Sequence, residues 1–170
     1  ETLPLIPGSL TFEEEISGDI ITPSDEIYYN DNIKTELTPG NAGTTTYVVT
    51  ETVIDEHGEE HTTTKTYTES DVIPTTTGTY EIDVITDDGK NTEEVHYTIK
   101  IDKTAPTSVQ EPDGDTKTIP VGETTVTVGT TITAEDEGGS GVEKIEYAIT
   151  TAPDNAPSIW TEIENGTTVE

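Results

Sequence analysis

Residues 79–101 read TYEIDVITDDGKNTEEVHYTIKI, and this stretch decides the fold. Tyr80, Ile82 and Val84 alternate with polar residues, and Val95, Tyr97, Ile99 and Ile101 do the same further on. Successive side chains of a strand point to opposite faces, so each run presents one apolar and one polar face. Asp87-Asp88-Gly89-Lys90-Asn91 lies between them. Asp and Asn bond their own backbone and Gly reaches positive φ, which is turn chemistry. The stretch therefore reads as a β-hairpin.

The same alternation recurs upstream. Leu10, Phe12 and Ile16 form one run, and Ile33, Thr35 and Leu37 another. The segments Tyr47 to Ile54 and Thr62 to Thr68 follow, with Gly, Pro, Asn and Asp clustered between runs. No segment carries a helical period. About seven short strands in about 100 residues predict an all-β fold of Greek-key β-sandwiches.

Composition agrees with a thin core. Apolar residues make up 29% and aromatics 5% of the 170 residues. Low hydropathy with a net charge of -29 is also a signature of disorder, but the alternation is too regular for a disordered chain. Roughly a fifth of the residues are Thr, whose branched, hydroxylated side chain suits the outer face of a strand. The seven basic residues are all Lys, against 36 acids. Such a charge repels nucleic acid and anionic membranes and attracts cations. No Cys occurs, which excludes disulfides and Cys-based zinc sites. No apolar run reaches membrane-spanning length.

The chain repeats itself. With a shift of 99 residues, Pro7 falls on Pro106, Ser9 on Ser108, Leu10 on Val109 and Ile33 on Ile132. TTTYVVT then meets KIEYAIT with a one-residue slip. The organisation that follows is a linker or tail of a preceding unit over 1–6, a first repeat over 7–105 and a second over 106–170. From Ile33 to Asp102 the first repeat takes 69 residues, whereas 38 follow Ile132. The second is thus expected to lack its closing strands, about 30 residues. The reading leaves three explanations: a piece cut from a longer protein, disordered closing strands, or a strand donated by a neighbouring subunit. For donation, Leu3, Leu5, Leu10 and Phe12 mark the N-terminal segment as the donor.

YTIKIDKTAPT, Tyr97 to Thr107, resembles the junction between bacterial and archaeal Ig-like tandem repeats of cell-surface proteins, of the adhesin, S-layer or surface-fibre type. TITAEDEGGSGVEKIEYAIT, Thr131 to Thr150, followed by Trp160, resembles the same group's Asp, Ser-Gly-Val, Ile-x-Tyr and Trp pattern. DDGKN is similar to its Asp-x-Gly-Asn turn with Lys90 inserted. The resemblance covers most of residues 78–160. It implies a non-catalytic structural or adhesive segment, extracellular and at the cell surface, whose partners are neighbouring repeats or subunits of one assembly. The alternative is a carbohydrate- or protein-binding module appended to a secreted enzyme. Such a module needs exposed aromatics, and Trp160, Tyr28 and Tyr29 are the candidate platform.

Several motifs invite chemistry. His57-Gly58-Glu59-Glu60-His61 is a literal H-x-x-E-H, which serves zinc peptidases only on a helix, where i and i+4 share a face. Between two strand runs it reads as a polar hairpin tip, with adventitious zinc or nickel binding as the other outcome. Ser140 in Gly-Gly-Ser-Gly reads as a loop, not a nucleophile. Asn165-Gly166-Thr167 is a glycosylation sequon. An intramolecular isopeptide bond requires a Lys pointing into the core; Lys34, Lys100 and Lys144 alternate out of phase with their apolar neighbours, whereas Lys65 shares a face with Tyr67. Calcium, which takes several hard oxygens, is the candidate cofactor. Asp102 would offer ligands at the repeat junction, and Asp87 and Asp88 at the far end. About ten strand residues at ~3.3 Å hold these groups roughly 30 Å apart, so they cannot share one ion. The competing reading of these acids is a solvated surface.

Overall fold

The computed structural model describes residues 3–111, 129–149 and 157–169, and every regular element among them is a strand. The chain divides into two units, Glu1–Lys103 and Thr104–Glu170. In the first unit the strands are β1 (Ser9–Glu14), β2 (Ile20–Ile21), β3 (Tyr28–Tyr29), β4 (Ile33–Thr38), β5 (Thr44–Ile54), β6 (Glu60–Tyr67), β7 (Asp71–Val72), β8 (Gly78–Asp87) and β9 (Thr92–Ile101).

β8 and β9 form the hairpin that their alternation predicts, with Tyr80 opposite Ile99, Ile82 opposite Tyr97 and Val84 opposite Val95. The turn is built as its residues require. Gly89 sits at φ 81°, the Asp87 carboxylate accepts the Gly89 N–H at 2.7 Å, and Asp88 accepts those of Lys90 and Asn91. β5 pairs along the other edge of β8, β6 pairs with β5, and β3 runs parallel to β9. The resulting five-stranded sheet has the order β3-β9-β8-β5-β6, and a second sheet has the order β2-β1-β4-β7.

The two sheets share one core. Leu10, Phe12, Ile21 and Ile33 come from the smaller sheet. Tyr47, Val49, Tyr80, Ile82, Val84, Ile99 and Ile101 come from the larger. Phe12 meets Tyr97 edge-on at 5.2 Å and 70°, and the Leu10 N–H donates to the Tyr97 hydroxyl. About 150–250 Å² of surface per aromatic side chain, at about 25 cal/mol per Å², makes such a core the main stabilising contribution.

Thr does line the outer face, where Thr50 meets Thr64 at 3.3 Å and Thr52 meets Thr62 at 3.2 Å. Two threonines, however, are buried. Thr35 donates to the Ile73 carbonyl, and Thr86 accepts the Gly8 N–H. Both hydroxyls are satisfied, which removes the cost of burying them.

Two expectations are corrected here. Ile16 does not continue β1. It is 88% exposed in a reversal where Gly18, at φ 75°, lets the chain turn back into β2. Nor are Leu10 and Phe12 free to complete another subunit. They sit in their own core, six residues of β1 pair with β4, and withdrawing them would empty that core.

Gly8, just before β1, and Lys103, just after β9, lie at opposite ends of β8. Gly8 is tied to Thr86 near the end of β8, whereas the Lys103 N–H donates to Thr77, one residue before its start. The ten residues of β8 span roughly 30 Å.

In the second unit the strands are β10 (Thr107–Glu111), β11 (Thr130–Glu135), β12 (Ile145–Tyr147), β13 (Thr161–Ile163) and β14 (Thr167–Val169). Their sheets have the orders β10-β11-β14 and β12-β13, all antiparallel. These pairings repeat three of the first unit, namely β1 with β4, β4 with β7, and β5 with β6.

Candidate functional site

The H-x-x-E-H residues lie at the tip of the β5–β6 hairpin, not on a helix. Gly58 takes φ 79°, and Asp55 organises the turn by accepting the His57 and Glu59 N–H groups on Oδ1 at 2.8 and 2.9 Å. Its other oxygen, Oδ2, faces His61 Nε2 at 2.8 Å. The His61 hydrogen bond and the two backbone donors hold the Asp55 carboxyl below the usual carboxylate value. Asp55, Glu59 and His61 each bring one donor atom within 4.8 Å of the others. An imidazole with two carboxylates is a donor set that borderline divalent cations accept. Glu60 and His57, which the motif alone would enlist, are not in this group. Asp55 was missed because the motif begins two residues after it. Its signal was an Asp three residues before a Gly, which is turn chemistry.

On the outer face of the large sheet, His96 stands between two carboxylates. Its Nδ1 lies 2.5 Å from Asp83 and its Nε2 2.7 Å from Glu81. Asp83 is its cross-strand partner and Glu81 its diagonal neighbour. The Asp83 hydrogen bond, then that of Glu81, raises the His96 pKa against the opposing effect of burial. A raised folded pKa stabilises the hairpin below the unfolded value of about 6.5, and that stabilisation is lost as pH rises through the folded value. His96 is half exposed, so about 0.2–1 kcal/mol is the scale. His96→Gln is expected to lower the unfolding midpoint at pH 5.5 and to leave it unchanged at pH 9. Thermal scans at the two pH values, repeated at high salt, check this.

A third cluster lies at the start of β8. The buried Tyr80 hydroxyl donates to Glu51 Oε1 at 2.6 Å, accepts the Thr76 N–H at 3.3 Å and lies 2.9 Å from the Thr76 carbonyl. Thr76 Oγ1 donates to Glu51 at 2.5 Å, and Thr63 bonds the other carboxylate oxygen. Nearby, burial first, then Asp71 and Tyr67, pushes the Tyr47 phenol up to about 12, and its hydroxyl donates to the Glu69 carbonyl. These groups tie strands together; a nucleophile with its base is not among them.

Asp102 is buried just past β9, where its N–H donates to the Tyr29 carbonyl. Asp31, also buried, sits just past β3 at the same end and accepts the Ile16 and Asn32 N–H groups. Lys103 Nζ reaches Asn32 Oδ1 and the Thr75 carbonyl. Asp87 and Asp88 stand at the opposite end of the hairpin, engaged in its turn. Of the aromatic platform, Tyr29 packs inward on the core and donates to the Thr22 carbonyl, while Tyr28 is exposed beneath Lys100. The two tyrosines therefore do not present one surface. Trp160, in the second unit, is 55% exposed.

Ser140 bonds Asp136, which also takes the Gly141 N–H at 2.6 Å and so closes the Gly-rich loop. Both polar atoms of the Asn165 amide are engaged by the Ala134 backbone, which withholds the sequon's nitrogen in the folded unit. Lys65 is exposed with its ammonium 4.5 Å above the Tyr67 ring, so it is not the core lysine that an isopeptide bond requires. No protein-family model, curated protein or solved structure matches this chain.

Proposed function

We propose that the chain is a stretch of tandem immunoglobulin-like repeats from an extracellular cell-surface protein, with a structural or adhesive role and no catalysis of its own. The observation that carries this is the placement of Gly8 and Lys103, which flank β1 to β9. They lie at opposite ends of β8, roughly 30 Å apart. A unit whose strands are flanked in this way adds its full length to an array of such units, which is what a surface spacer or fibre needs.

Two features support the immunoglobulin-like part. The sheets β1-β4-β7 and β9-β8-β5-β6 follow the strand order of that sandwich, with the short β3 lying parallel on the last strand. Tyr80, near the start of β8, bonds the Thr76 backbone four residues upstream, as the tyrosine corner of such domains does. Thr-covered outer strands and a charge of -29 keep a crowded surface assembly soluble.

Antibodies raised against this chain are expected to label intact cells of its source, and external protease is expected to remove the label. Labelling that requires permeabilised cells would reject the surface reading.

A further inference from the structure

The hairpin of β5 and β6 carries three metal-ligating side chains at its tip. Its register pairs Val53 with His61 and Ile54 with Glu60, so Asp55 and Glu59 are the next pair beyond the ladder. The Asp55 N–H donates to the Glu59 carbonyl at 3.0 Å and closes that pair. Residues two apart on a strand share a face, and diagonal neighbours across a pair are within reach. Glu59 and His61 thus stand on the side of Asp55, whereas Glu60 falls on the other and His57 belongs to the turn. One donor atom from each of Asp55, Glu59 and His61 lies within 4.8 Å of the other two, and among the described residues no other three such donors converge in this way. His96 also meets two carboxylates, but on opposite ring nitrogens, so the three cannot share one ion.

We infer that Asp55, Glu59 and His61 form a binding site for one zinc-class divalent cation, which pins the tip of the β5–β6 hairpin. Asp55 Oδ2 and His61 Nε2 are 2.8 Å apart. Zinc holds each donor at about 2.0–2.2 Å, which sets tetrahedral donors roughly 3.3–3.6 Å from one another. The pair therefore opens by less than about 1 Å, and the ion takes the place of the hydrogen between them. His61 then binds through Nε2 with its proton on Nδ1. Asp55 Oδ1 keeps the His57 and Glu59 N–H groups, and these bonds orient the ligating oxygen. Three protein donors leave the fourth position to water. Calcium takes about six to eight oxygens, which two carboxylates do not supply, so the imidazole selects a zinc-class ion. The site belongs to the first unit alone and does not depend on the surface role.

Calorimetric titration of the 170-residue chain with zinc tests this, with calcium in large excess to occupy the other carboxylates. A single equivalent of zinc is expected to bind. His61→Gln is expected to weaken that binding about a hundredfold or more, and Glu59→Gln to weaken it as well. His57→Gln and His96→Gln are expected to leave it unchanged. Amide exchange over residues 56–62 is expected to slow with zinc in the parent chain and not in His61→Gln. Glu59 and His61 are exposed, so the variants keep the fold, and unfolding midpoints in zinc-free buffer verify it. Binding that survives His61→Gln, that calcium displaces, or that is lost with His57→Gln would overturn the inference.

Discussion

Phe12→Ala is expected to cost the first unit about 3–5 kcal/mol. The ring is 2% exposed, and its loss removes both its own buried surface and the edge-on contact with Tyr97 across the two sheets. Such an aromatic pair contributes about 0.5–1.5 kcal/mol beyond area burial. A domain holds only about 5–15 kcal/mol in all, so the variant is expected to unfold near ambient temperature or in low denaturant. Trp160 lies in the second unit, while Phe12 and six of the seven tyrosines lie in the first. Denaturation followed separately by tyrosine signals and by Trp160 fluorescence therefore carries an internal control. The tyrosine transition is expected to move and the Trp160 transition to stay. A shift below about 1 kcal/mol would mean that β1 does not hold its own core, and would restore the donated-strand reading of Leu10 and Phe12.

The hairpin of β8 and β9 was fully legible because two independent signals agree. The apolar period sets which residues face inward, and Asp87 to Asn91 sets where the chain reverses. Where only one signal operated, the reading slipped. Ile16 is in phase with Leu10 and Phe12, but phase does not say where a strand stops, and Ser17-Gly18 was the stronger signal. Tyr28 and Tyr29 read as exposed aromatics because a two-residue parallel pair has no local signature; only β9, far along the chain, makes Tyr29 an inward residue. Thr86 alternates with Val84, and that phase places it inside against the outer-face preference of its residue type. Its hydroxyl is satisfied by Gly8, a partner that no spacing rule announces.

The candidate chemistry divides in the same way. That His57 to His61 form a hairpin tip followed from the strands on either side. That Asp55 and Glu59, rather than His57 and Glu60, join His61 depends on how the turn folds. Asp31 escaped notice because Asn-Asp-Asn looks like any polar turn. Its burial beside the end of β9 comes from the β3–β9 pairing, which is a tertiary fact.

Tyr80→Phe is expected to cost about 1.5–3 kcal/mol, because it removes a buried hydroxyl bonded to a carboxylate and to backbone. The packing of the ring is kept, so the effect isolates the hydroxyl from the core. Its signature is in the pH dependence. The Thr76 and Tyr80 hydrogen bonds, with a smaller one from Thr63, outweigh burial and hold the Glu51 carboxyl below its usual value. A lowered folded pKa contributes stability that is fully present above the unfolded value of about 4.3 and is lost as pH falls through the folded one. Burial, with the Glu51 hydrogen bond next, raises the Tyr80 phenol, so its contribution is complete below about pH 10 and is lost as pH rises above it. The substituted ring has no phenol to titrate and leaves Glu51 one donor fewer. The variant is therefore expected to show its full deficit between pH 5 and 9, and a smaller one toward either extreme. Denaturant titrations of both proteins at pH 3, 7 and 11 measure this. A deficit that is the same at all three would mean that the Tyr80 hydroxyl is coupled to neither titration, and that the corner at the start of β8 is held by the backbone bond to Thr76 alone.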